Sequence, residues 1–373
     1  MPRRRVPLPG LLFLLCALAP LAALAAQPEP RRSIELAFAI DATGSMSGFI
    51  EGAKRRVWSI ARQVARPGVD LRLGLVAYRD RGDAFVTRVV PMGADLDGFD
   101  HALREISAGG GGDTPEAVNR ALADAVSKLG WSEGDVATRW LILVGDAPPH
   151  AREAGEVPYL ESVARARRRG IVVHAIQCGR SEETARAWRA IARRGGGEYR
   201  LLDPAQALPR TATPFDTELV RAGRALAETI VATGDAETRR ALRERRERVL
   251  AADAETTAER LDFLERRGRS LGEGWGDLVS RAARGDVDPS ALPPDAWPDS
   301  LREASPADRR QWLEDQIERR RGLFSEIAWL ARQREKLLRE REAARRGDGE
   351  SERFEALVRR LMETSGAAGA RAD

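Results

Sequence analysis

The chain has 373 residues, of which 32% are charged and 43% are hydrophobic, and its formal net charge is +4 at pH 7. This length predicts two domains with additional segments and is enough to bury a substantial core. Acidic and basic residues are finely mixed, as on solvated helical faces, and three arginines at positions 3 to 5 supply most of the net charge. The composition gives no support to a strongly basic, nucleic-acid-binding protein, and we expect no nucleic-acid partner.

The N-terminal residues 1–26 are typical of a secretory signal peptide. Three arginines precede a nearly apolar run, and small residues around Ala25 and Ala26 fit a cleavage site. The run is short for a membrane span, so we expect no transmembrane segment in the mature chain. Cys16 raises the alternative of a lipoprotein, but the bulky Leu15 before it does not fit the usual lipid-attachment pattern. We therefore expect a secreted or periplasmic protein.

Residues 33–213 alternate short apolar strands with amphipathic helices. This order predicts an α/β fold with a doubly wound, mostly parallel sheet. Strands at 69–78 and 84–90 are joined so closely that we expect an antiparallel pair at one edge of the sheet. Strands at 34–40 and 140–144 would be neighbours at the switch point, where ligands bind beside the carboxyl ends of the strands.

Oxygen-bearing side chains follow the first predicted strand. Asp41, Thr43 and Ser45 alternate along the turn that leads into an amphipathic helix at 48–66, so they can converge on one small ion. Such hard oxygen ligands suit Mg²⁺, Mn²⁺ or Ca²⁺. The alternative is that these residues only cap the helix that follows them.

Two later loops carry the same kind of side chain. A run of four glycines at 109–112 precedes Thr114 and Pro115, which predict a helix with Thr114 as its N-cap and Pro115 at its first position. The glycines exceed what a cap requires and allow the backbone to approach a ligand closely. The strand at the predicted switch point ends in Asp146. In a doubly wound sheet all three loops reach one rim, which predicts a single site.

The combination of Asp-x-Thr-x-Ser45, Gly-Gly-Asp-Thr114 and Gly-Asp146 resembles the three loops of a von Willebrand factor A domain. The resemblance covers residues 33–213 and extends to secreted bacterial proteins and to the A-domain half of some alpha-kinases, although no kinase half follows here. It implies a metal-ion-dependent adhesion site, with the ligand residues Asp41, Thr43, Ser45, Thr114 and Asp146. Thr43 stands where the commoner pattern has serine, and it keeps the hydroxyl.

The resemblance also implies a binding function. Neutral hydroxyl ligands leave a bound cation electron-poor, so an open coordination position would attract a carboxylate from a protein partner or another ligand. We find no phosphate-binding Gly-Lys pair, and the one sequence like a nucleophile elbow has Met46 where serine is needed, so we do not expect an enzyme. The alternative is a structural or assembly factor of the cell envelope that acts through its helical C-terminal half. Cation-dependent partner capture would separate the two hypotheses.

From residue 214 onward the predicted strands stop, and we expect an all-helical C-terminal domain. Its expected parts are a helical region at 214–286, a proline-rich linker at 287–299, a long helix or helical hairpin at 300–345, and a short helix with a disordered tail at 346–373. Arg320 and Arg334 interrupt the apolar row of the long segment, which makes a continuous coiled-coil seam a poor fit. A hairpin that folds on its own partners is the favoured interpretation.

Overall fold

The structure is a computed structural model, and it describes residues 33–64, 69–112, 115–134, 137–150, 155–202, 212–266, 276–346, 357–358 and 360–361. The predicted signal peptide, the ligand candidate Thr114 and most of the predicted tail lie outside these residues. Within the described ranges, each helix is either too short or too polar to cross a membrane.

Six strands form one sheet in the order β3-β2-β1-β4-β5-β6. Their bounds are β1 Ser33–Asp41, β2 Asp70–Tyr78, β3 Thr87–Gly93, β4 Ala137–Gly145, β5 Ile171–Cys178 and β6 Gly196–Leu202. Only the β2–β3 pair is antiparallel, which confirms the predicted antiparallel edge of a doubly wound sheet. The predicted switch point is also present, because β1 and β4 are neighbours and Ile40 pairs with Val144.

The helices of this α/β unit cover both faces of the sheet. They are α1 Ser47–Val64, α2 Leu96–Arg104, α3 Val118–Ser127, α4 Tyr159–Arg168 and α5 Glu182–Gly195. Side chains alternate along β1, so that Leu36 and Phe38 face the core beneath α1 and α2, whereas Ala37 and Ala39 face α3, α4 and α5. Helix α3 begins at Val118 rather than at the predicted Pro115.

The C-terminal part is helical, as predicted. Its helices are α6 Asp216–Glu228, α7 Ala236–Ala251, α8 Ala254–Arg266, α9 Leu278–Ala283 and α10 Pro306–Arg346. Apolar residues of α6, α8 and α10 belong to the same buried cluster as Phe38 of the sheet. The aromatic rings of Trp58 on α1 and Phe263 on α8 have centroids 5.6 Å apart. The helices therefore cover the outer face of α1 and share its core.

Of the two alternatives predicted for residues 300–345, the structure has the long helix and not the favoured hairpin, because residues 306–346 form one continuous helix. The two arginines that interrupt its apolar row are buried and bind acids on other helices. The Arg320 guanidinium donates to the Asp277 carboxylate at 2.5 Å, and Arg334 lies 2.9 Å from Asp216. Residues 287–299 contain two short 3₁₀ turns, the start of a third, and the buried Trp297.

Candidate metal centre

The first predicted loop forms a compact arrangement of oxygen atoms at the carboxyl end of β1. The backbone N–H of Thr43 donates to Asp41 Oδ1 at 2.9 Å, and the Thr43 hydroxyl donates to the same oxygen at 2.6 Å. The hydroxyl of Ser45 lies 3.3 Å from that of Thr43. A 3₁₀ turn at Gly44–Met46 precedes α1 and holds these side chains together. The structure thus brings Asp41, Thr43 and Ser45 together as the sequence predicts.

The second carboxylate oxygen of Asp41 lacks a partner. Asp41 is fully buried, and its Oδ2 accepts no hydrogen bond from the residues that the structure describes. Burial raises the pKa of Asp41 to about 7, although hydrogen bonds from Thr43 oppose this rise; the nearby Asp146 carboxylate adds to it. Burying a carboxylate oxygen without a partner is costly. A cation beside Oδ2 would remove this cost and favour the ionised carboxylate, so the site fits a divalent ion.

The third loop approaches Asp41 closely. A side chain on Gly145 would place its Cβ 2.5 Å from the Tyr78 hydroxyl oxygen and 3.1 Å from Asp41 Cβ, so this position has space for glycine alone. Asp146 follows directly and is half-buried. Its carbonyl accepts a hydrogen bond from the Thr184 hydroxyl at 2.9 Å, which anchors the loop to α5. The structure therefore places Asp146 beside Asp41.

The glycine-rich second loop lies against the first loop. Gly110 and Gly111 have φ angles of +74° and +71°, which glycine adopts easily. The Gly44 N–H donates to the Gly110 carbonyl at 3.2 Å. A Cβ on Gly111 would lie 2.9 Å from Thr43 Cβ. The close approach inferred from the glycines is thus present, while Thr114, the ligand candidate in this loop, lies outside the described residues.

The sequence interpretation missed one buried acid at this site. Glu116 is 3% exposed, and its Oε2 has no hydrogen-bond partner among the described residues. Burial, together with the nearby carboxylates of Asp41, Asp80, Asp83 and Asp146, raises the pKa of Glu116 to about 8. An acid just after a predicted helix start is expected for its interaction with the helix dipole alone, so nothing in the sequence distinguishes Glu116 as a residue of the site.

The outer rim of the site is acidic. Asp80 lies 2.7 Å from His150 Nε2, and Asp83 accepts a hydrogen bond from the Gly111 N–H at 3.0 Å. Within the part of the chain that the structure describes, no three acidic, histidine or cysteine side chains are arranged to hold a metal ion. The candidate site differs from such a cluster because Thr43 and Ser45 contribute hydroxyl oxygens.

Comparison with known proteins identifies the α/β unit. Residues 35–199 match the family model described as von Willebrand factor A domain. The chain is therefore a protein with a von Willebrand factor A domain, as its three loops predict.

Two relatives match part of the chain. The chain is 29% identical over 117 residues to an ariadne-like RING finger protein of Acanthamoeba polyphaga mimivirus, and this matched stretch is 31% of this chain and 11% of that protein. The chain is 31% identical over 124 residues to the alpha-protein kinase vwkA of Dictyostelium discoideum, and this matched stretch is 32% of this chain and 19% of the kinase. The chain thus spans less than a fifth of the length of either relative.

Solved structures of other proteins are similar to part of the chain. A von Willebrand factor type A protein from Catenulispora acidiphila is 20% identical with a TM-score of 0.37, covering 47% of this chain and 40% of that one. Proximal thread matrix protein 1 from the mussel byssus, with a zinc-occupied MIDAS motif, is 15% identical with a TM-score of 0.38, covering 48% of this chain and 43% of that one.

Proposed function

We propose that this protein is a secreted or periplasmic binding module that captures its partner only when a divalent cation is bound. The observation that carries the proposal is the buried Asp41 carboxylate, whose Oδ2 has no partner among the described residues while hydroxyl oxygens of Thr43 and Ser45 lie close by. This arrangement occurs in a von Willebrand factor A domain.

The five predicted residues would bind the cation through two kinds of group, charged carboxylates and neutral hydroxyls. Asp41 and Asp146 would balance the charge of the cation, and Thr43, Ser45 and Thr114 would supply hydroxyl oxygens. This set of hard oxygen donors favours Mg²⁺ or Mn²⁺, with Ca²⁺ as a further candidate. When bound, the ion would offer a Lewis-acidic position to a carboxylate of the partner.

The electrostatics of the rim explain why capture would depend on the cation. Asp80, Asp83 and Glu116 lie around the two predicted acidic ligands. In the absence of a cation this group of acidic side chains offers no positive charge to an acidic partner, and its ionised members repel it, since like charges brought together at an interface are unfavourable. A dication held by Asp41 and Asp146 reverses the local field, so the same surface attracts a carboxylate.

Two measurements test the proposal. Isothermal titration of the metal-stripped full chain with Mg²⁺ and Mn²⁺ should show saturable binding that Asp41→Ala abolishes. Glu161→Gln, which changes an exposed acid on α4, is the matched control and should bind as the wild type does. A pull-down from cell-envelope extract should recover a partner that chelator releases. Equal ion binding by wild type and Asp41→Ala would refute the metal site, and capture that persists in chelator would favour an envelope factor that acts through the helices.

A further inference from the structure

We infer that Glu116 supports the cation site, as a nearby carboxylate that acts in addition to the five predicted ligands. This inference rests on the proposed function, because it concerns the same cation. Three features of the described residues support it: where the Glu116 backbone is held, where its carboxylate lies, and which groups surround it.

The backbone of Glu116 is held between the second and third loops. Its N–H donates to the Pro148 carbonyl at 2.9 Å, and the two segments form a parallel bridge at Glu116 and Pro149. Its carbonyl accepts from the Val118 N–H at 2.8 Å, at the start of α3. The position of the Glu116 backbone is therefore set by hydrogen bonds to the segment that follows Asp146 and to the start of α3.

The carboxylate of Glu116 lies beside the first loop. A Cβ built on Gly111 would be 3.2 Å from Glu116 Oε1 and 2.9 Å from Thr43 Cβ, so the Glu116 carboxylate and the Thr43 side chain flank the same point. The other oxygen, Oε2, is buried and makes no hydrogen bond with the described residues. Both Asp41 and Glu116 thus present an unpartnered, buried carboxylate oxygen at one end of the sheet.

Several other buried acids among the described residues are paired with arginines. Glu35 lies 3.5 Å from the Arg139 guanidinium, and Asp97 lies 2.5 Å from that of Arg260. Within the described residues, Glu116 forms no such ion pair, and its electrostatic neighbours are other acids. A buried carboxylate needs a compensating charge. The protein provides that charge internally at other places, so a cation from solution is the missing counterpart here.

One cation does lie near the site, but it is used otherwise. The Arg79 guanidinium donates to the Ala42 carbonyl at 3.1 Å and to the Ser107 carbonyl at 2.5 Å. These bonds connect the first loop to the segment just before the glycine-rich loop. Arg79 therefore shapes the loops and leaves Glu116 for the ion.

The test measures ion affinity in the full chain by isothermal titration with Mn²⁺ and Mg²⁺. Glu116→Gln keeps the shape of the side chain and removes its ability to carry charge. Since groups that support metal ligands typically contribute 10- to 100-fold in affinity, we expect Glu116→Gln to raise the Kd by about that factor. Glu161→Gln removes one exposed acid that is paired with Arg165, and it is expected to leave the Kd unchanged. Circular dichroism and thermal melting in chelator verify that each variant is folded.

The outcomes separate this inference from the function on which it rests. If wild type binds the ion, Asp41→Ala does not, and a folded Glu116→Gln binds within threefold of wild type, the role of Glu116 is refuted and the proposed function stands. If wild type shows no saturable binding, the proposed function itself fails. Should Glu116→Gln not fold, Glu116→Ala is measured by the same threefold criterion.

Discussion

The substitution Asp41→Asn should make the stability of the cation-free protein less sensitive to pH. In the folded protein, burial raises the pKa of Asp41 from an ordinary value of 3.8 to about 7. The folded state therefore binds the Asp41 proton more tightly than the unfolded state does. The stability due to this group is fully present below about pH 4 and is lost as the pH rises through 7.

The size of this effect follows from the shift. One pKa unit corresponds to about 1.4 kcal/mol, so a rise from 3.8 to about 7 corresponds to a loss of roughly 4 kcal/mol between pH 4 and pH 8. Asparagine is neutral at every pH in this range, and its side-chain oxygen can still accept the two bonds from Thr43. Glu116 also has a raised pKa, and the Asp41 carboxylate contributes to that rise. The pKa of Glu116 should therefore fall in Asp41→Asn, which changes the difference between the two proteins in the same direction.

Urea unfolding in chelator at several pH values from 5 to 8 provides the measurement. We expect the free energy of unfolding of Asp41→Asn, relative to wild type, to increase steadily with pH. Saturating Mg²⁺ or Mn²⁺ should narrow the difference at pH 8, because an ion that binds only the folded wild type adds about 2.7 kcal/mol at 100 times its Kd. A difference between the two proteins that is independent of pH in chelator would refute the assignment of a buried, easily protonated Asp41.

Two further predictions concern regions away from the loops. Replacing the buried Arg334 by methionine should destabilise the protein by about 3–5 kcal/mol, because the Asp216 and Glu259 carboxylates would lose their shared counter-charge. As a control, Arg339→Met removes an exposed ion pair and should cost less than about 1 kcal/mol. Urea unfolding measures both losses, and similar values for the two variants would contradict the prediction. For export, protein recovered outside the cytoplasm should begin near Ala26 or residue 27 by intact mass, and a retained N-terminus or a lipid on the cysteine at position 16 would contradict soluble export.

The sequence predicted those parts of the fold that depend on local pattern. Alternating apolar runs located the strands, and the switch-point rule correctly placed Asp41 and Asp146 at the ends of neighbouring strands. The role of Arg320 could not be found in this way, because its partner Asp277 lies on a different segment of the chain. In the sequence, a buried arginine only interrupts the apolar face of a helix. In the folded protein, Arg320 forms an ion pair with Asp277.

Glu116 shows a second limit of the same kind. Its position just after Pro115 fits a helix start, and helix starts favour acids whatever their environment. Only the folded structure shows that α3 begins later, at Val118, and that the Glu116 N–H is hydrogen-bonded to the Pro148 carbonyl of the third loop. Whether a carboxylate is buried without a partner depends on the folded structure, so residue spacing in the sequence cannot distinguish Glu116 from an acid exposed to solvent.

The boundary between strands and helices near residue 213 separates two patterns in the sequence but not two cores in space. Helix α1 begins at Ser47, directly after the first loop, and its Trp58 packs against Phe263 of α8. Helix α8 is in turn joined to α10 by the buried Glu259–Arg334 ion pair. Because protein interiors are closely packed and transmit displacement, the position of α1 depends on the helices outside it. The helical half therefore supports the loop that carries Asp41, and the binding module that we propose includes both halves of the chain.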